Sequence, residues 1–392
     1  MSSTIATSPS GAYVRDVLGN VEYWAFVPAP LPPELYLSPD TLLALSAADR
    51  AVGELSGLGR ALPNPHLLIQ PFIYREAVLS SRIEGTVTTA AELYAYRAGQ
   101  LPLPGVGAPE ADVREVANYA AALEHGLRHL GDYPLSLWCI RGLHRMLLEG
   151  VRGDELLPGE FRRVQNYIGS PRTHINQARY VPPPPYELDG ALAAFEAYMQ
   201  GDDPLPPLVR LALIHYQFEA IHPFMDGNGR VGRLHIALLL GHWRLLSQPL
   251  LYVSAYFESN RQEYYDLLLG VSRDGAWEPW VLFFLQGVEQ QARDGIKRAQ
   301  LLQDVHARWK DRLAAERTSA TTLRLADYLL LSPIVTVPQL VTARKTSHPT
   351  AMRAVQKLVD LGILSTFGTR SYRQAFVADD VLAVISDLEH SR

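Results

Sequence analysis

The chain has 392 residues, 47% of them hydrophobic, which is enough for two or three domains with sizeable cores. A formal charge of −5 and apolar runs, such as that at 236–240, that fall far short of a membrane span exclude, for the chain as a whole, a nucleic-acid coat, a membrane-surface protein and a membrane-spanning one. A single cysteine excludes an intrachain disulfide, and the N-terminus lacks the basic and apolar regions of a signal peptide, so a reducing, cytoplasmic setting is expected.

Residues 1–38 are polar and then proline-rich, and an extended arm is expected there. From residue 40 the apolar spacing becomes helical. Leu42, Leu43, Leu45, Val52, Leu55 and Leu58 suit one amphipathic helix started by Ser38-Pro-Asp. Further helices are predicted at 66–82, 87–98, 109–130, 134–149, 186–200, 205–220, 229–246, 258–271 and 277–297, the last extending toward 315. Cys139, in the apolar run Leu137-Trp-Cys-Ile, reads as a small buried hydrophobe rather than a nucleophile. Two loops interrupt this body, at 157–169 and 178–185. The second holds four successive prolines, which cannot be helical, and Tyr180-Val181 before them is expected to form a short extended edge or flap. Strand-like alternation is nearly absent before residue 320, so the fold class is mainly α.

The last 70 or so residues change character. Helices are predicted at 320–331, 337–344 and 350–361, followed by a hairpin of 363–367 with 374–377. That order is the order of a winged helix-turn-helix. Between 341 and 378 stand six basic residues (Arg344, Lys345, Arg353, Lys357, Arg370, Arg373) and one acid, Asp360. Such a bias is the footprint of a duplex-binding face, and protein docking or dimerisation is the other use of such a module.

Residues 222–233 read His-Pro-Phe-Met-Asp-Gly-Asn-Gly-Arg-Val-Gly-Arg. The helix before them should end at His222-Pro223. Gly227 and Gly229 permit positive φ, so their N–H groups can form an anion nest, and a new helix near Gly229 or Arg230 would aim its N-terminus at the same point. Arg230 and Arg233 share one face of that helix's first turn, within reach of phosphate oxygens. Asp226 offers a hard oxygen suited to Mg²⁺, and His222 a proton acceptor. An EF-hand reading of Asp-Gly-Asn-Gly fails, because Arg230 stands where a third ligand belongs and no acid closes the loop.

These residues resemble the Fic (filamentation induced by cAMP) family, whose core H-x-F-x-(D/E)-G-N-G-R-x-x-R is matched at every fixed position. Gly159-Glu-Phe-Arg-Arg-Val-Gln-Asn-Tyr-Ile-Gly looks like the family's segment before the flap, and Tyr180-Val-Pro-Pro-Pro like the flap. The resemblance covers roughly 15–300. It implies a Fic-type helical bundle with a short β flap, and transfer of AMP from ATP to a protein hydroxyl with release of pyrophosphate. By position, His222 would be the base and Asp226 the Mg²⁺ ligand. Gly227, Asn228, Gly229 and Arg230 would cradle the α- and β-phosphates, with Val231 and Gly232 in the same loop. Arg233 would bind the γ-phosphate, and Phe224 would fix the loop from the core. The flap at Tyr180 and Val181 would align a target backbone by strand addition.

Ser80-Ser-Arg-Ile-Glu84-Gly85 resembles the family's inhibitory motif (S/T)-x-x-x-E-(G/N). Ser80 and Glu84 are one turn apart on one helix face, and Gly85 suits the helix end. Glu84 could then occupy the guanidinium of Arg233 and hold ATP in an unfit pose. Tyr264 and Tyr265 resemble positions that meet the adenosine, near Tyr252 and Asn260, although Ser272 stands where an asparagine is expected.

The reading is therefore an adenylyltransferase restrained by an inhibitory helix at about 66–85. Its regions are 1–105, a catalytic core at 106–300 and a winged helix at 301–392. ATP and Mg²⁺ are the expected cofactors, with UTP or another nucleotide left open. The expected partners are a protein bearing a hydroxyl side chain, the chain itself, DNA or protein at the winged helix, and a second copy of the chain. The alternatives are removal of AMP by the same site, and a DNA-binding regulator whose Fic body senses nucleotide.

Overall fold

The computed structural model describes residues 6–62, 64–99, 107–132, 134–169, 173–368 and 374–386. The chain begins with an antiparallel meander, β1 (Ala6–Ser8), β2 (Gly11–Leu18) and β3 (Val21–Pro28), in place of the extended arm expected over 1–38. Leu18 pairs with Val21 across a two-residue Gly19-Asn20 turn, and Gly19 takes φ +62°. In β3, Tyr23 and Ala25 are buried while Glu22 and Trp24 face out, the period of two that a half-buried strand requires. That signal is present in the sequence, but the prolines that follow obscure it.

The helical body comprises α1 (Pro39–Ala61), α2 (His66–Ile83), α3 (Ala90–Arg97), α4 (Glu110–Arg128), α5 (Leu137–Leu148) and α6 (Pro185–Gln200). It continues with α7 (Pro207–Ile221), α8 (Asn228–His242), α9 (Ser254–Ser259), α10 (Arg261–Asp274) and α11 (Trp277–Ala315). Ser38 caps α1 by accepting the Thr41 N–H, and Pro39 sits in the first turn, where no N–H partner is needed. The stripe that α1 buries is Leu45, Ala48, Val52 and Leu55. Leu42 and Leu43, expected on that face, are instead exposed, one at its margin and one on the far side of the helix. The single helix expected at 258–271 is divided into α9 and α10 by Asn260, whose φ of −118° and ψ of 35° leave the helical region. Cys139 is half-buried rather than enclosed, and burial raises its thiol pKa, which fits a packing residue better than a nucleophile.

Helix α7 is buried on nearly all sides, the mark of a central helix, and packs against α6, α8 and α11. Helix α2 packs on α4 and α9 and also touches α8, the helix that follows the 222–233 turn. The placement of α2 is what brings a distant segment to that turn.

The C-terminal part consists of α12 (Ala320–Leu331), β4 (Ile334–Thr336), α13 (Val337–Arg344), α14 (His348–Asp360), β5 (Ser365–Phe367), β6 (Ala375–Val377) and α15 (Asp379–Ile385). Its antiparallel sheet has the order β4-β6-β5. This layout is like that of a winged helix-turn-helix, with β4 as a strand the sequence reading did not anticipate. Arg370 and Arg373 lie outside the described residues. Helices α12 and α15 pack on α2 and α11, and one hydrophobic core runs from the body into this part.

Candidate active site

Helix α7 ends at Ile221, and His222 enters the left-handed region at φ 50°, ψ 60°, with its N–H donating to the Phe218 carbonyl at 3.0 Å. Pro223 then prevents the helix from resuming. A non-glycine residue in this region costs about 1–2 kcal/mol, so neighbours must hold it. Arg162 does so. Its Nε donates to His222 O at 2.9 Å and its Nη2 to Pro183 O at 2.6 Å, while its backbone N–H donates to Pro223 O at 2.9 Å. One buried guanidinium thereby ties the histidine turn to the segment after Tyr180-Val181.

Phe224 is fully buried and stacks on His144 at 3.7 Å, so it fixes the loop from below as expected. The Gly159 N–H donates to His144 Nδ1 at 2.8 Å. His144 Nε2 must then carry the hydrogen, and it donates to Asp226 O at 2.9 Å. Asn228 closes the loop from within: its Oδ1 accepts the Phe224 N–H and its Nδ2 donates to Phe224 O, both at 2.8 Å. Its side chain is therefore occupied, and only its backbone is left for a phosphate. Gly227 has φ +78°, whereas Gly229 lies inside α8, which begins at Asn228. The expectation of positive φ at both glycines holds for Gly227 alone.

The two arginines part company. Arg230 turns to Glu115 on α4, to which its Nη1 donates, and to Asp226 at 3.4 Å. Arg233, 1% exposed, turns to α2. Its Nε donates to Ser80 Oγ at 2.9 Å, and its Nη2 to Ser80 O at 3.0 Å and to Glu84 Oε1 at 2.7 Å. Glu84 is the C-cap of α2, and Gly85 follows at φ +94°. Burial raises the Glu84 pKa, but the charge and hydrogen bond of Arg233, with Arg230 and His222 behind them, outweigh it and hold the group ionised. A Cβ placed on Gly229 would lie 2.4 Å from Glu84 Oε1 and 2.9 Å from Arg233 Nη1. The carboxylate therefore rests on the first turn of α8, where an anion is favoured.

Glu84, His222, Gly229 and Arg233 line a cavity of about 610 Å³, together with Tyr180, Tyr264, Tyr265 and Ser272. Asp226 and Arg230 are not among its walls. The His222 pKa is lowered to about 4, first by burial and then by the Arg162 charge. Its Nδ1 lies 3.3 Å from Glu219 O, an acceptor only, so the hydrogen sits on Nδ1 and Nε2 keeps a free lone pair. Tyr264 is as much core as wall, since its hydroxyl meets His215 Nε2 at 2.9 Å and its ring stacks on Phe257. Tyr265 is the more open of the pair. Ser272 is engaged by Tyr216 at 2.9 Å, whereas Tyr252 and Asn260 lie elsewhere. Arg162, Glu115, His144 and Glu219 were missed as individual site residues. Arg162 stood in the recognised 159–169 segment, while the others depend on tertiary placement that no local spacing reveals. Burial raises the Glu219 pKa to about 7, and Glu219 Oε1 has no hydrogen-bond partner among the described residues.

The flap differs from the open edge expected. Tyr180 pairs with Ile168 through both its backbone groups, and Val181 O accepts the Phe26 N–H of β3 at 2.8 Å. The folded N-terminal meander covers that side. Tyr167 and Gly169, on either side of the Ile168 bridge, have no backbone hydrogen bonds among the described residues. For a metal, Asp226 Oδ1 accepts the Gly227 N–H at 2.6 Å, while Oδ2 accepts no hydrogen bond among the described residues and the side chain is one-third exposed. One available carboxylate oxygen fits Mg²⁺ held mainly by phosphates and water, and among the described residues no cluster of three or more ligands would hold it alone.

Comparison with known proteins bears on this geometry. Residues 42–128 match the Fic/DOC family N-terminal region and residues 134–240 the Fic/DOC family. A Fic family protein from Desulfovibrio desulfuricans G20 has a similar fold at TM-score 0.55 and 19% identity, over 89% of this chain and 98% of that one. Fic-1 of C. elegans is similar at TM-score 0.51 and 20% identity, over 67% of this chain and 74% of that one. A protein adenylyltransferase Fic of Culex quinquefasciatus is 29% identical over 216 residues, 53% of this chain and 38% of that protein. Its counterpart in Drosophila grimshawi is 34% identical over 158 residues, 40% of this chain and 29% of that protein. The chain thus spans well under half the length of these curated relatives. With both matched regions converging on the cavity that holds Glu84, His222 and Arg233, the chain belongs to the Fic/DOC family.

Proposed function

We propose that this protein transfers AMP from ATP to a hydroxyl side chain of a target protein, and to itself, and that Glu84 restrains it. The observation that carries this reading is the meeting of a neutral His222 and a Glu84-occupied Arg233 in one nucleotide-sized cavity. His222 Nε2 accepts the proton of the incoming hydroxyl as its oxygen attacks the α-phosphorus. The bond to the β-phosphate oxygen breaks, pyrophosphate leaves with the electron pair, and the proton stays on the imidazole. The N–H groups opening α8 and the guanidinium of Arg233 meet the charge of the phosphates. Asp226 would hold Mg²⁺, which when bound neutralises phosphate charge. Arg162 keeps the base in place, and Tyr265 is the half-buried ring on the cavity wall that is available to the nucleoside.

Arg233 cannot serve Glu84 and a γ-phosphate at the same time. With Glu84 in place the triphosphate must bind displaced, away from the line between hydroxyl, phosphorus and leaving oxygen. Incubation with labelled ATP followed by intact-mass measurement tests the proposal. Glu84→Gly should add AMP to the chain, and Glu84→Gly with His222→Ala should add none. Modification that persists without His222 would refute the assignment of the base.

A further inference from the structure

We propose that the outer face of α13 and α14 is a docking surface for duplex DNA, contacted through its phosphate backbone and major groove. Between α12 and the α13–α14 turn lies a second cavity of about 380 Å³, rimmed by Arg324, Arg344 and Lys345 and by the hydroxyls of Thr321 and Thr346, with no acidic residue in its wall. Among the described residues these three cations have no carboxylate partner, whereas Lys357 pairs with Glu316 at 2.8 Å. The Arg344 guanidinium lies 4.5 Å over the Tyr328 ring, a stacking that leaves its N–H edge free.

The geometry of the two helices points to a duplex. Three residues join α13 to α14, with Lys345 in the left-handed conformation. Helix α14 buries Ala351, Ala354, Val355 and Leu358 and exposes Met352, Arg353 and Gln356. A helix of this kind, presented by a short turn, is what fits a major groove, and arginine and glutamine are the side chains that read guanine and adenine edges there. Charge complementarity favours the same occupant: Arg324, Arg344, Lys345 and Arg353 have no carboxylate partner among the described residues, in a chain whose formal charge is −5. A free small anion would use the rim cations but not the exposed α14 face beside them.

The test is fluorescence anisotropy of a labelled duplex of about three helical turns, titrated with the full chain between about 50 and 200 mM salt. Binding should weaken steeply with salt. Arg344→Glu with Lys345→Glu should lower affinity at least about tenfold and flatten the log–log salt slope by about two. Arg353→Ala, a milder change at an exposed position, should lower affinity at least about fivefold. A thermal melt of each variant reports folding, and Arg353→Ala alone suffices if the double variant unfolds. No anisotropy change at about 10 µM chain and low salt would overturn the proposal, as would binding indifferent to all three residues. Displacement of the duplex by about 1 mM AMP at constant ionic strength would also overturn it, by marking the rim as a free-anion pocket.

Discussion

Glu84→Gly removes one charge-assisted hydrogen bond of 2.7 Å, between a guanidinium that is 1% exposed and a carboxylate that is 30% exposed. A hydrogen bond to a charged group contributes about 1.5–3 kcal/mol, and the partial exposure of Glu84 places this one in the lower half, at about 2 kcal/mol. If that free energy separates the productive nucleotide pose from the displaced one, its loss raises AMP transfer about 30-fold, at about 1.4 kcal/mol per factor of ten. Arg233 stays oriented in the variant, because both of its bonds to Ser80 remain. Auto-modification followed over time by intact mass, at saturating ATP and Mg²⁺, reads the change. An unchanged rate in a variant that still binds ATP would refute the inhibitory role of Glu84.

Other outcomes follow from the same geometry. Arg162→Met in the Glu84→Gly background should lower transfer by about 10²-fold while ATP affinity holds, because the base is released from its left-handed position. The acid limb of its pH profile should also rise, since the Arg162 charge lowers the His222 pKa after burial does. Activity within about threefold of the parent would contradict the positioning role. The buried histidines should cost the fold stability in acid: burial holds His144, His215 and His235 neutral, with pKa values of about 4, 3 and 4 against an ordinary 6.5, while the buried carboxyls of Glu76 and Glu219, with pKa values of about 7, work the other way. The unfolded chain takes up the histidine protons first as pH drops below 6.5, so their share of the stability declines from there toward pH 4. His144 alone removes up to about 3 kcal/mol by the end of that range. The difference in urea midpoint between the parent and His235→Gln, followed from pH 7.5 to 5, isolates the histidine share and should shift in favour of the variant as pH falls; a difference that does not change with pH would contradict it.

The parts of the site written within one short stretch were legible in the sequence. The twelve residues at 222–233 and the Ser80–Glu84 spacing mark a turn and a helix face, which are local objects, and the roles expected of them come from the family resemblance. The helices were legible to within a few residues for the same reason, since the 3.6-residue period survives in each segment. What escaped were choices made between segments. Nothing local says that Arg230 turns to Glu115 while Arg233 turns to Glu84, because both occupy the same face of one helical turn. The Asn228 side chain, expected to face a phosphate, instead closes the loop on Phe224. The meander over 6–28 failed for another reason. Its strands are short and half-buried, and their alternation was outweighed by the prolines that follow. That omission hid the coverage of Val181 by β3, which takes up a backbone group expected to be open.

Competition at Arg233 is tested most directly by comparing ATP with ADP in calorimetric titrations of His222→Ala protein, with and without Glu84→Gly, where no turnover blurs affinity. With Glu84 present, Arg233 is occupied and the γ-phosphate gains nothing, so ATP and ADP should bind about equally. With Glu84→Gly, ATP should bind about tenfold or more tightly than ADP, the worth of one charge-assisted contact. The same ATP-to-ADP ratio in both proteins would show that Glu84 and the γ-phosphate do not share Arg233.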